Sequence, residues 1–322
     1  MQTSLSRARA MSVLASALVA PAAAGAQAPA IVRIGTPGND GNALAYYAFE
    51  NGVFRKHGID AQIQTIRAGS GAGIAGAVVG GSLDVGEADI IAVAAAREHG
   101  LPLLLIAPSF LHRGPAPVTA LVVAKTSAIH TAADLNGATI AVPSLTGPAK
   151  LVTEAWLQKN GATTATIKYV EVPPTAVAAA IARGTVVAAT TTEPNLAAAL
   201  DEVRVLGYVY DAIGNPLQVS AWFATEDWIR ANTDVARRVV AALRESAAWA
   251  DDPRNHAASA AILQKYTPFA SDLLPKMHRA QYGEVFDPAI VQPLLDAAYD
   301  QKSLPKPIAA KDLFSSVAVT RS

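Results

Sequence analysis

Two hydrophobic periods alternate along this chain. Residues 31–35, 103–107, 119–124, 138–142, 167–172, 186–190, 205–210 and 217–225 are short apolar runs with β-branched residues. Such runs suit strands buried on both faces. Residues 61–67 alternate apolar and polar instead, with Gln62, Gln64 and Arg67 among them, as an edge strand does. Between these runs, residues 43–50, 73–80, 90–99, 148–160 and 174–183 carry helix-period patterns closed by Asn, Gly or both. Residues 110–117 are rich in Gly and Pro and read as irregular. From residue 226 the chain is mostly helical. Asn232 and Thr233 are placed to cap a helix carrying Val235, Val239, Leu243 and Ala247, and Asp252-Pro253 starts another. Strands alternating with helices predict an α/β fold with parallel sheet.

The stretch 132–161 organises the rest. Ala132 to Leu135 reads as a helical turn stopped by Asn136-Gly137, a pair that readily takes positive φ. The run 138–142 is a buried strand, and Pro143 to Gly147 is a small polar loop at its carboxyl end. Pro148 then opens a helix at the N1 position, and Asn160-Gly161 closes it. Such a loop leaves backbone N–H groups and a positive helix end facing one crevice, which binds anions and polar ligands. Ser144, Thr146 and Gly147 are therefore candidate ligand-binding residues.

Composition narrows the class. The chain has 322 residues, no Cys, formal net charge +0 and 51% hydrophobic residues. Arg7 and Arg9, an apolar stretch from Met11 to Ala20 and Ala24-Gly25-Ala26 make a secretory signal peptide over residues 1–26. The apolar stretch is far short of the ~20 residues that span a bilayer. Without a Cys after the cleavage site there is no place for a lipid anchor, so a free protein of the periplasm is expected. Balanced charge speaks against a nucleic-acid partner.

Four motifs in order carry a resemblance. Phe54-Arg55-Lys56-His57-Gly58-Ile59-Asp60 precedes the second strand, and Leu83-Asp84-Val85-Gly86-Glu87-Ala88-Asp89 ends in a polar turn. Asp134-Leu135-Asn136-Gly137 with Pro143-Ser144-Leu145-Thr146-Gly147 follows, and then Thr191-Thr192-Glu193-Pro194. Together they resemble the periplasmic substrate-binding proteins of ABC importers, in the branch serving nitrate, taurine and other sulfonates, and thiamine-pyrimidine precursors. The resemblance covers residues 31–224 well, and beyond them only in element order. Thr192 departs from it, because family members often carry a bulky residue there.

The resemblance implies a two-lobed type II periplasmic-binding-protein fold with two crossing strands as hinge. Lobe 1 would hold residues 27–118 and 211–322, and lobe 2 residues 119–210. It also implies a monomer that captures a small organic molecule between the lobes and delivers it to an importer permease in the inner membrane. The candidate ligand-binding residues are Asn39, Asp40, Asn42, Glu87, Ala88, Asp89, Ser144, Thr146, Gly147, Glu193, Asn195 and Trp222, with Tyr46 a second stacking wall. Asp89 has an alternative role as a helix N-cap. Lys150 sits in a first helical turn, where it faces either an anion or solvent.

A carboxylate or sulfonate is the first-choice ligand, and a neutral or cationic heterocycle such as a pyrimidine precursor is the alternative. An exported enzyme using the same cleft is the rival of another class. No G-x-S-x-G elbow occurs, and the six His are dispersed without metal-ligand spacing. No catalytic residue, metal or cofactor is expected. Gly71-Ala72-Gly73-Ile74-Ala75-Gly76 fits G-x-G-x-x-G, but the alternating strand before it argues for close helix packing instead of a dinucleotide site.

Overall fold

The computed structural model describes residues 28–66, 71–114, 118–145, 147–267, 273 and 277–321. The expected signal peptide and Thr146 lie outside these residues.

Two five-stranded mixed sheets form the frame. In the first, the order is Ile59–Thr65, Ala30–Thr36, Val85–Asp89, Ser220–Thr225, Leu103–Pro108. Ala30–Thr36 runs parallel to both of its neighbours, while Ser220–Thr225 is antiparallel to the strands on either side of it. The second sheet has the order Val203–Gly207, Thr119–Ala124, Ala188–Thr192, Thr139–Val142, Lys168–Glu171. Its three strands from Thr139 to Thr192 are parallel, and Thr119–Ala124 is antiparallel to Ala188–Thr192. In both sheets the parallel strands point their carboxyl ends toward the same cavity, as open α/β sheets do around a ligand.

The chain crosses between the sheets twice, and the two crossings meet. Phe110–His112 pairs antiparallel with Leu217–Gln218 and also with Gln281–Tyr282, forming a small third sheet. This corrects the reading of residues 110–117 as wholly irregular. A strand of three residues has no period of its own, and only partners far along the chain create it.

The helices follow local sequence closely. Thr225 caps Glu226–Ala231 by accepting from the Trp228 N–H, and Asp89 caps Ile90–Glu98 by accepting from the Ala92 N–H at 2.8 Å. Pro148 takes the N1 position of Pro148–Lys159. Asn232 is a correction: its side chain does not cap Thr233–Asp251 but donates back to the Trp228 carbonyl at 3.0 Å, closing the preceding helix. Thr233–Asp251 is amphipathic, and Val239, Leu243 and Ala247 on its apolar face are buried.

Close packing explains two glycines. A Cβ on Gly71 would stand 2.6 Å from the Ala88 Cβ, whereas Gly73 and Gly76 face open space. Only the first glycine of the G-x-G-x-x-G run is therefore used for contact, and it brings the helix Gly71–Val79 against the strand that ends at Asp89. Gly86 is tighter still. A Cβ there would meet Phe223 Cζ at 2.6 Å, Ile74 Cγ2 at 2.7 Å and Val78 Cγ2 at 3.0 Å. Gly86→Ala should cost about 1–3 kcal/mol by overpacking. Urea unfolding measures it, and a loss below about 0.5 kcal/mol would mean that this face is loose.

Candidate functional site

A cavity of about 360 Å³ lies between the two sheets, within the range of small-molecule sites. Its first wall comes from the first sheet and its loops: Asn39, Asp40 and Asn42 after one strand, Ala88 and Asp89 at the end of another, and Ser220. Its second wall comes from the second sheet: Ser144, Gly147 and Ala149 beyond Thr139–Val142, and Thr190 to Glu193 at the end of Ala188–Thr192. Pro37, Pro143, Pro148, Pro174, Phe110 and Val118 supply rigid apolar surface between the polar groups.

Asp40 is the most heavily used acid. It is almost fully buried, and its carboxylate accepts from Arg279 Nη2 at 2.8 Å, the Ala280 N–H at 2.6 Å and the Tyr47 hydroxyl at 3.4 Å. The Tyr282 hydroxyl donates to the Asp40 carbonyl. Glu193, also buried, accepts from the Ala197 N–H at 2.9 Å and the His278 N–H at 3.2 Å. The segment from His278 to Ala280 thus joins a loop of the first sheet to a loop of the second, and Ala280 faces the cavity. Burial pushes the carboxyls of Glu193 and Asp89 above their ordinary range, offset in each case by hydrogen bonds from backbone N–H groups.

Behind the first wall lies Glu87. It is fully buried and receives the Asn42 side-chain N–H. Burial, the dominant cause, pushes its carboxyl up to about 8. At neutral pH it holds a proton.

Of the candidate residues, Asn39, Asp40, Asn42, Ala88, Asp89, Ser144, Gly147 and Glu193 line the cavity. Glu87 touches it only through Asn42. Three other expectations are corrected. Trp222 is wholly buried in the core and does not line the cavity, because it lies two residues further along the strand than Ser220, beyond the open end. Tyr46 is buried too, stacked on Tyr266 with ring centroids 4.1 Å apart. Asn195 is not on the wall; it begins the short helix Asn195–Ala199. Lys150 reaches Glu154 at 3.1 Å and lies over the Tyr169 ring, so its charge is answered within its own neighbourhood. Thr191, Phe110, Tyr210 and Ala280 line the cavity without having been candidates. The three threonines at a strand's carboxyl end were the available signal for the first.

Among the described residues the lining contains Asp40, Asp89 and Glu193 but no Lys, Arg or His. Its positive potential comes from backbone. The twelve-residue helix Pro148–Lys159 begins on the second wall at Gly147, which puts the positive end of its dipole at the cavity. Among the described residues no group of three or more His, Asp or Glu is placed to hold a metal ion. No described helix is long and apolar enough to cross a membrane.

Residues 39–256 match the sequence model of a family described as NMT1/THI5 like. No curated protein matches the chain as a relative. Solved structures do match in fold. The periplasmic aliphatic sulphonate binding protein SsuA from Escherichia coli shares 22% identity and a TM-score of 0.72, over 91% of this chain and 94% of that one. The periplasmic nitrate-binding protein NrtA from Synechocystis PCC 6803 shares 15% identity and a TM-score of 0.71, over 88% and 84%. The desulfurization enzyme DSZB shares 15% identity and a TM-score of 0.64, over 89% and 96%. These likenesses give the chain the two-lobed α/β fold of the periplasmic binding proteins, a fold that also carries an enzyme.

Proposed function

This chain belongs to the NMT1/THI5-like family, and we propose that it works as a solute-binding protein, not as an enzyme. The observation that carries this reading is the cavity itself, walled by strand ends of both sheets and bordered by Ala280, whose segment bonds to Glu193 and Asp40. Each carboxylate on its walls already accepts backbone N–H groups, with Arg279 added at Asp40. Groups held in that way keep the walls in shape; none is paired with a nucleophile.

Residues 27–118 with 211–322 form one lobe and residues 119–210 the other. The small sheet at the crossings is the hinge. A ligand that touches both walls binds the closed arrangement better than the open one and shifts the equilibrium by that difference. The closed form is then presented to the permease of an ABC importer, with the protein free in the periplasm.

The ligand is a small organic molecule with two kinds of polar group. A carboxylate or sulfonate suits the positive start of Pro148–Lys159. N–H groups suit the carboxylates opposite. A densely charged oxyanion finds no cationic side chain on the described walls. The neutral or cationic heterocycle is the second reading, favoured by the same three carboxylates.

Three compounds of similar shape separate the readings: 4-(aminomethyl)benzoate, 4-methylbenzoate and 4-methylbenzylammonium. At 100 times its Kd a bound compound should stabilise the protein by about 2.7 kcal/mol. The expected order of melting shifts places the two-ended compound first. A largest shift from the cation would favour the heterocycle reading, and a new product in any mixture would favour an enzyme.

A further inference from the structure

Among the described residues, the polar side chains of the second wall are spent on the protein, with one exception. The Thr190 hydroxyl shares a hydrogen bond with Thr153 at 2.6 Å, and Thr153 in turn donates to the Ala149 carbonyl at 2.6 Å. The Thr192 hydroxyl donates to the Val118 carbonyl at 2.8 Å and meets Thr119 at 2.9 Å. Glu193 holds the Ala197 and His278 N–H groups. Between these lies Thr191, only 1% exposed, whose hydroxyl finds no partner among the described residues. It is on the cavity wall.

A buried hydroxyl without a partner is costly, and proteins rarely keep one without a use. The backbone here is not at fault. Thr191 sits in register against Ala120 in the Ala188–Thr192 ladder, so the strand holds the side chain in a defined place. A strand-borne group is positioned more rigidly than one on a loop. Being neutral, a hydroxyl can donate to an acid group or accept from an N–H.

We infer that Thr191 is the ligand's hydrogen-bonding anchor on the second sheet, its unspent hydroxyl completing its bonding only when the cavity is filled. This rests on the solute-binding reading and adds to it a residue that sets specificity. Thr190 and Thr192 then act as positioning residues, each fixing the strand end by bonds to Thr153, Thr119 and Val118.

Thr191→Val keeps the shape and removes the hydroxyl, and Thr191→Ser keeps the hydroxyl. Melting without ligand and calorimetric titration with 4-(aminomethyl)benzoate are measured on both variants and on the wild type. The valine variant should melt no lower than the wild type without ligand, because it loses an unpaired polar group. Its affinity should fall about tenfold, the worth of one hydrogen bond to a charged group. The serine variant should stay within about threefold of the wild type. A lower ligand-free midpoint for Thr191→Val would show the hydroxyl serving the protein, and would overturn the assignment whatever the titration gives. Unchanged affinity in that variant would overturn it as well. If the compound fails to bind the wild type, the proposed ligand chemistry falls instead, and the ligand-free midpoints decide for or against the unspent hydroxyl.

Discussion

Asp40→Ala should lower the stability of this protein by about 3–5 kcal/mol, the usual loss when one partner of a buried ion pair is removed. Arg279 keeps only 10% of its side chain exposed and Asp40 only 2%. Without the carboxylate the guanidinium stays buried beside the Tyr47 hydroxyl with its charge unanswered, and the Ala280 N–H loses its acceptor. The effect reaches the cavity, since Ala280 faces it and His278 next in line holds Glu193. Replacing both partners, as in Asp40→Asn with Arg279→Met, should recover most of the loss, because the expense lies in the orphaned charge. Urea unfolding of the two variants beside the wild type measures this. A single-mutant loss under about 1 kcal/mol would place this pair with ordinary surface bridges.

The second large effect is on pH. Glu87 is raised from 4.5 to about 8 and Asp251 from 3.8 to about 7, in both cases mainly by burial, and Asp89 and Glu193 move the same way. An acid raised in the folded state binds its proton more tightly there than in the unfolded chain. Its contribution is fully present below the unfolded value and is lost as pH rises through the folded one. Stability should therefore fall between pH 4.5 and about 8, by up to about 1.4 kcal/mol per pH unit for each such group while both values bracket the pH. Glu50 and Glu245, lowered by their Lys, Tyr and His partners, work in the opposite sense below 4.5 but are near the surface. Glu87→Gln keeps the size and the neutral state, so its melting curve should flatten above pH 6 and cross above the wild type by pH 8. A parallel decline in both proteins would remove Glu87 as the source.

Much of the frame was readable from local pattern. The strand Thr119–Ala124 matches the expected run residue for residue, and Pro148 marks its helix start, because buried strands and Pro at N1 leave strong local signals. Asp89 was legible as a cap for the same reason. What sequence could not give depends on partners far away. Phe110–His112 is a strand only because Leu217–Gln218 and Gln281–Tyr282 flank it. Arg279 and Ala280 reach the cavity region through Asp40, some 239 and 240 residues earlier in the chain. Trp222 was misplaced for a subtler reason. Its strand leaves a strong local signal, but how far the cavity penetrates along it is set by packing, and the core claims everything beyond Ser220.

Closure on a ligand is the centre of the account, and small-angle X-ray scattering tests it most directly. The compound giving the largest melting shift is titrated to saturation while the radius of gyration is followed. The account predicts a fall in radius that tracks occupancy, as the two lobes turn about the small sheet and grip one molecule. Tight, saturable binding with no change in radius would contradict it.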